Sequence, residues 1–86
     1  MKKEEVYNII DSEIEYQEKR KFNDKLVCDS DPDKGVAEWI VYMEHYISLA
    51  KKQIFDLNNS GALENVRKIT ALGVSCMMNN NTLGRS

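Results

Sequence analysis

The sequence predicts an all-α protein, a three-helix antiparallel bundle that assembles as a homo-oligomer, and three observations predict it. Apolar residues recur at spacings of three and four in three separate segments, and strand-like alternation is absent. Turn-forming residues divide those segments: a stretch around Pro32, the only proline, and the run Asn58-Asn59-Ser60-Gly61. The chain has 86 residues, and a chain this short hides only about 60–65% of the surface its unfolded form exposes. So thin a core supplies only about 3–5 kcal/mol, and small proteins add disulfides, metals or self-association.

The elements follow in order within a single domain, residues 1–86. Helix one is expected over about residues 3–21, with Val6, Ile10 and Ile14 as its apolar stripe and Ile9 beside it. The stretch from Phe22 to Lys34 is rich in Asn, Asp and Ser and reads as a loop. Gly35 then serves as N-cap, with Glu38 three places on, for a second helix over about 36–57. Ile40, Met43, Ile47, Ala50, Ile54 and Leu57 form its core stripe. A second stripe of Trp39, Tyr42, Tyr46 and Leu49 widens the apolar face, so this helix is expected to have two neighbours. Helix three, about 62–78 and capped by Ser60 or Gly61, presents Val66, Ile69, Gly73, Cys76 and Met77, with Leu72 adjoining. The short connection makes helices two and three antiparallel neighbours. Gly73 costs about 1 kcal/mol relative to alanine, which suggests close approach of another backbone. Residues 79–86 form a polar tail.

Composition narrows the function classes. Twelve basic against fourteen acidic residues give a net charge of −2, without the basic excess of a general nucleic-acid binder. A local basic cluster can still hold a small anion. Cys28, Cys76 and His45 are too few for a disulfide framework or a zinc site, so no cofactor and no metal are expected. The charged start, Met1-Lys2-Lys3-Glu4-Glu5, has no apolar run behind it. No apolar stretch approaches the roughly 18 residues of a membrane span either, so the expected place is the cytoplasm.

No catalytic constellation is complete. His45 is the only histidine for any Ser-His-Asp or Cys-His arrangement, the four glycines are isolated, and the acidic residues 29–33 lack the later Glu of a calcium loop. What stands out is a set of aromatic rings with cations near them. Trp39, Tyr42 and Tyr46 share a side of helix two, and Tyr16 lies one turn before Arg20. Arg67 and Lys68 begin the polar side of helix three, and Arg85 is in the tail. Rings of this kind serve as core or subunit interface, or stack on a nucleobase, which is worth about 1–3 kcal/mol per base.

The segments Glu38-Trp39-Ile40-Val41-Tyr42-Met43, Tyr46 and Val66-Arg67-Lys68-Ile69-Thr70-Ala71-Leu72-Gly73-Val74-Ser75-Cys76-Met77, with Glu13, Tyr16, Gln17 and Arg85, resemble small helical proteins encoded by tailed phages. That resemblance implies a phage accessory protein, a class that includes inhibitors of host defence. More distantly, the helix order is similar to MazG-type all-α nucleotide pyrophosphohydrolases, which carry Glu-Glu-x-x-Glu and Glu-x-x-Asp. Here the corresponding places hold Met43-Glu44-His45-Tyr46-Ile47 and Glu64-Asn65-Val66-Arg67. Those degraded motifs imply lost metal hydrolysis beside a retained nucleotide pocket.

The expected function is therefore non-enzymatic: a counter-defence protein that sequesters a nucleotide-like anionic signal between subunits. The expected ligand-binding residues are Tyr16, Arg20, Trp39, Tyr42, Arg67, Lys68 and Arg85. Because Trp39 and Arg67 should lie several helical turns apart in one chain, only a site between copies can join them. The alternatives are an inhibitor that docks its Trp/Tyr face on a host enzyme, and a divergent magnesium-dependent pyrophosphohydrolase.

Overall fold

A computed structural model describes residues 1–22, 25–26 and 35–85. Helix α1 spans Lys3–Lys19, strands β1 and β2 are the two-residue segments Lys21–Phe22 and Lys25–Leu26, helix α2 spans Val36–Phe55 and helix α3 spans Asn59–Asn79. The strands pair antiparallel, Lys21 with Leu26 and Phe22 with Lys25, a minimal ladder in an otherwise all-α chain. Cys28 and the acidic residues 29–33 lie outside the described residues.

Local chemistry sets the helix ends. Glu4 and Glu5 stand in the first turn of α1 and Lys19 in its last, each complementing the helix dipole. Gly35 starts α2 through its carbonyl, which accepts from the backbone N–H groups of Glu38 and Trp39 at 3.0 and 3.2 Å. Helix α3 begins earlier than expected, because the cap is Asn58 rather than Ser60 or Gly61. Its Oδ1 accepts from the Gly61 N–H at 2.9 Å and from the Ser60 hydroxyl at 3.2 Å. A Cβ on Gly61 would lie 2.5 Å from Asn58 Nδ2 and 2.8 Å from Gln53 Nε2, so the capping Asn58 and Gln53 side chains would have to shift.

Between α2 and α3 the chain closes with paired bonds, Asn58 N–H to Gln53 O at 2.8 Å and Leu57 N–H to Ile54 O at 3.0 Å. This helix stop places Leu57 in the left-handed region, at φ 58°. Leu57 was expected in the core of helix two, yet it is 90% exposed. A leucine in that conformation is strained by about 1–2 kcal/mol. Leu57→Gly should therefore raise stability by about 0.5–1 kcal/mol in urea denaturation, after the larger chain entropy of glycine is subtracted. A loss of stability would restore Leu57 to the core.

The three helices are not equal partners. Helix α3 packs against both others, whereas α1 and α2 have at most marginal contact with each other. Among the described helices, helix two therefore packs extensively against α3 alone, where two neighbours were expected. Antiparallel packing of α2 and α3 is marked along its length: Asn65 Nδ2 donates to Gln53 Oε1 at 2.6 Å, and the Lys68 ammonium lies 5.6 Å from the Tyr46 ring centre. On the other side Ile10 and Ile14 of α1 pack with Ala71 and Val74. Ala71 and Ser75 are buried, and their small size lets α1 approach. Among the described residues Gly73 meets no close backbone: a Cβ added there would touch only the Met43 sulfur, at an ordinary 3.9 Å.

Only six hydrophobic residues are buried among those described: Ile10, Ile14, Trp39, Ala62, Ala71 and Leu72. The expected core stripe of helix two is largely in water, with Ile40, Ile47 and Ile54 exposed along with Leu57; Val6, Val66 and Met77 are exposed too. Among the described helices only α3 packs extensively against α2, and one neighbouring helix can cover only one side. The radius of gyration, 13.7 Å, exceeds the roughly 12 Å of a compact domain of this length.

Candidate functional site

Helix α1 carries Ile10, Glu13, Ile14 and Gln17 at spacings of three and four, so two polar residues share the buried side with two isoleucines. Each finds a partner on α3. Gln17 Nε2 donates to the Lys68 carbonyl at 3.3 Å. Arg67 Nε donates to Glu13 Oε1 at 2.7 Å, an ion pair in which the carboxylate residue is 7% exposed and the arginine 38%. A charge-assisted bond this short is among the stronger hydrogen bonds.

Around this pair Ile9, Ser12, Glu13, Tyr16 and Arg67 line an open hollow of about 280 Å³. Tyr16 is 61% exposed, and the Arg20 guanidinium lies 5.9 Å from its ring centre. Three of the expected ligand residues, Tyr16, Arg20 and Arg67, thus fall on one edge of the α1/α3 pair. A ring face, fixed positive charge and a hydroxyl are the groups that a nucleotide's base, phosphate and sugar use.

The other four do not line that hollow. Trp39 is 2% exposed, so its ring faces are covered and cannot stack on a ligand in this arrangement of the chain. Tyr42 is half-buried and lines a shallow hollow with Ala37, Glu38 and Val41. Lys68 sits over Tyr46. Arg85 is exposed in the tail. Glu13 and Ser12 were not among the expected site residues. Glu13 had a visible signal, a carboxylate in register with Ile10 and Ile14, but its partner 54 positions away is not readable from spacing.

A second feature is apolar. Ile47, Ala50 and Ile54 of α2 face Ala62, Leu63 and Val66 of α3 across a groove of about 570 Å³. Leu63 and Val66 also border a groove of about 390 Å³ against Val6, Ile9 and Ile10 of α1. The two grooves are therefore one continuous face on all three helices, with Leu63, 67% exposed, at its centre. A contiguous exposed apolar face is a candidate association surface.

Among the described residues no group of three or more His, Cys, Asp or Glu side chains could hold a metal ion. At the degraded motif positions Glu44 and Glu64 are exposed, and Arg67 is committed to Glu13. No helix among the described residues is long and apolar enough to cross a membrane. Comparison with known proteins gives no match: no family model, no curated protein and no solved structure corresponds to this chain.

Proposed function

We propose that this chain is a non-enzymatic phage accessory protein whose homo-oligomer sequesters a nucleotide-like anion at a site between subunits, as a counter-defence device. The observation that carries this reading is the convergence of Tyr16, Arg20 and Arg67 beside an open hollow on the α1/α3 edge. The hollow, at about 280 Å³, is smaller than the roughly 300–1,000 Å³ of a complete small-molecule site. A second copy supplies the remaining wall. Assembly is favoured independently by the apolar face centred on Leu63, by the few buried apolar residues and by the open shape.

The role of Tyr16 is testable on its own. Its ring is mostly exposed, so Tyr16→Ala removes a stacking face while leaving the packed side of α1 intact. Affinity for an adenine nucleotide, followed by calorimetry, should fall about 5- to 150-fold, the equivalent of one lost base stack of about 1–3 kcal/mol. Equal affinity in the variant would remove the ring from the site.

The alternative is that the same apolar face engages a host protein and inhibits it. The observation favouring it is that the face is largely aliphatic and continuous across all three helices, meeting the anion hollow only at Ile9 and Arg67. Trp39, once expected as its anchor, is covered, so Leu63 and Val66 take that place. A host protein co-purifying with the wild type but not with Leu63→Asp, with the chain itself monomeric, would favour this second reading.

A further inference from the structure

Arginine has five N–H donors, and only the one on Nε is committed to Glu13. The four N–H bonds on the terminal nitrogens remain for a ligand in the hollow that Arg67 lines with Ser12 and Tyr16. A guanidinium held at Nε is fixed in its plane, which suits it to paired donation to two phosphate oxygens. The holder, however, carries a negative charge of its own. Glu13 lines the same hollow and is almost entirely removed from water, so solvent screens it poorly.

This arrangement bears on which anions can enter. Desolvation costs rise steeply with the charge of the phosphate, while the attraction of Arg67 is partly cancelled by the carboxylate beside it. A phosphodiester carries one negative charge, and a terminal phosphate carries nearly two at neutral pH, its second pKa being about 6. We propose that Glu13 is the specificity-determining residue of this hollow. It positions Arg67 and, by its own charge, admits a monoanionic phosphodiester while turning away dianionic terminal phosphates. The inference rests on the reading of the α1/α3 hollow as an anion site, and it names the ligand class: a nucleotide whose phosphate is diesterified. A protein that must capture its ligand among abundant mononucleotides and nucleoside triphosphates needs such a filter.

The test compares two probes of nearly the same shape and different charge, adenosine 5′-monophosphate and its methyl phosphodiester, at about pH 8, where the free phosphate is a dianion. Binding to the full-length protein is followed by calorimetry and by the NMR signal of the Arg67 Nε–H, with folding of each variant checked by circular dichroism. The wild type should bind the methyl diester about tenfold more tightly than the monophosphate. Glu13→Gln keeps the shape and loses the charge, and should erase or invert that preference. Glu13→Asp keeps the charge but shortens the reach to Nε, so it should weaken both probes and preserve their order. A merely structural Glu13 would change both affinities together and leave their ratio alone in all variants, which would overturn the proposal. A wild type that prefers the dianion would also overturn it, while leaving the anion site standing. Absence of binding by either probe, with the Arg67 signal unmoved, would overturn the anion-site reading and this inference with it.

Discussion

Arg67→Ala should lower the stability of the protein by about 2–3 kcal/mol, the largest loss expected from any single exposed-side truncation on α3. The reason is Glu13. With Arg67 removed, a carboxylate that is 7% exposed loses its only ion-pair partner among the described residues. Breaking a fully buried pair costs about 3–5 kcal/mol, and a charged hydrogen bond alone is worth about 1.5–3. Arg67 is 38% exposed, which places this pair at the lower end. A small core cannot absorb that loss easily, because it supplies only about 3–5 kcal/mol in all. Urea denaturation gives the value, and the double variant Arg67→Met with Glu13→Leu should recover most of it, since an apolar replacement of both partners leaves no stranded charge. A single variant within about 0.5 kcal/mol of wild type, the range of ordinary surface substitutions, would show that the pair contributes little.

Leu63→Asp should break the assembly. Leu63 lies at the junction of the α1/α3 and α2/α3 grooves and is 67% exposed in the single chain, so the change adds no buried charge to the monomer. In an assembled face it places a carboxylate among Ile47, Ile54 and Val66. Central apolar anchors cost at least about 2 kcal/mol when lost, and taking a charge out of water adds to that. The association constant should fall by roughly a hundredfold or more, read by sedimentation across micromolar concentrations. Helicity should be retained. An unchanged assembly would move the interface elsewhere, and loss of helicity in the variant alongside a monomeric wild type would make Leu63 a core residue after all.

Much of the fold was legible in the sequence because helices announce themselves locally. Ile10 and Ile14 point inward as their spacing implies, and Asn58 to Gly61 turn the chain into an antiparallel α2/α3 pair. Periodicity identifies an apolar side but not how many neighbours cover it. Helix two, with the widest apolar side, reads as the centre, yet the centre is α3. Small residues decide this: Ala62, Ala71 and Ser75 are buried on α3, so two helices can approach it closely. The site was half legible. Tyr16 and Arg20 are one turn apart on one helix and had to be neighbours. That Arg67 of a distant helix joins them, and that Glu13 holds it, depends on a non-local crossing that no spacing rule supplies.

The central claim, a homo-oligomer holding a nucleotide-like anion between its copies, is tested most directly by native mass spectrometry of the protein purified from phage-infected cells. One spectrum reports subunit number and any retained small molecule. The expected result is an oligomer that releases a phosphodiester-containing nucleotide on collisional activation, in a fixed ratio to subunits, and loses it in Tyr16→Ala. A monomer free of any nucleotide, across micromolar concentrations, would contradict the account.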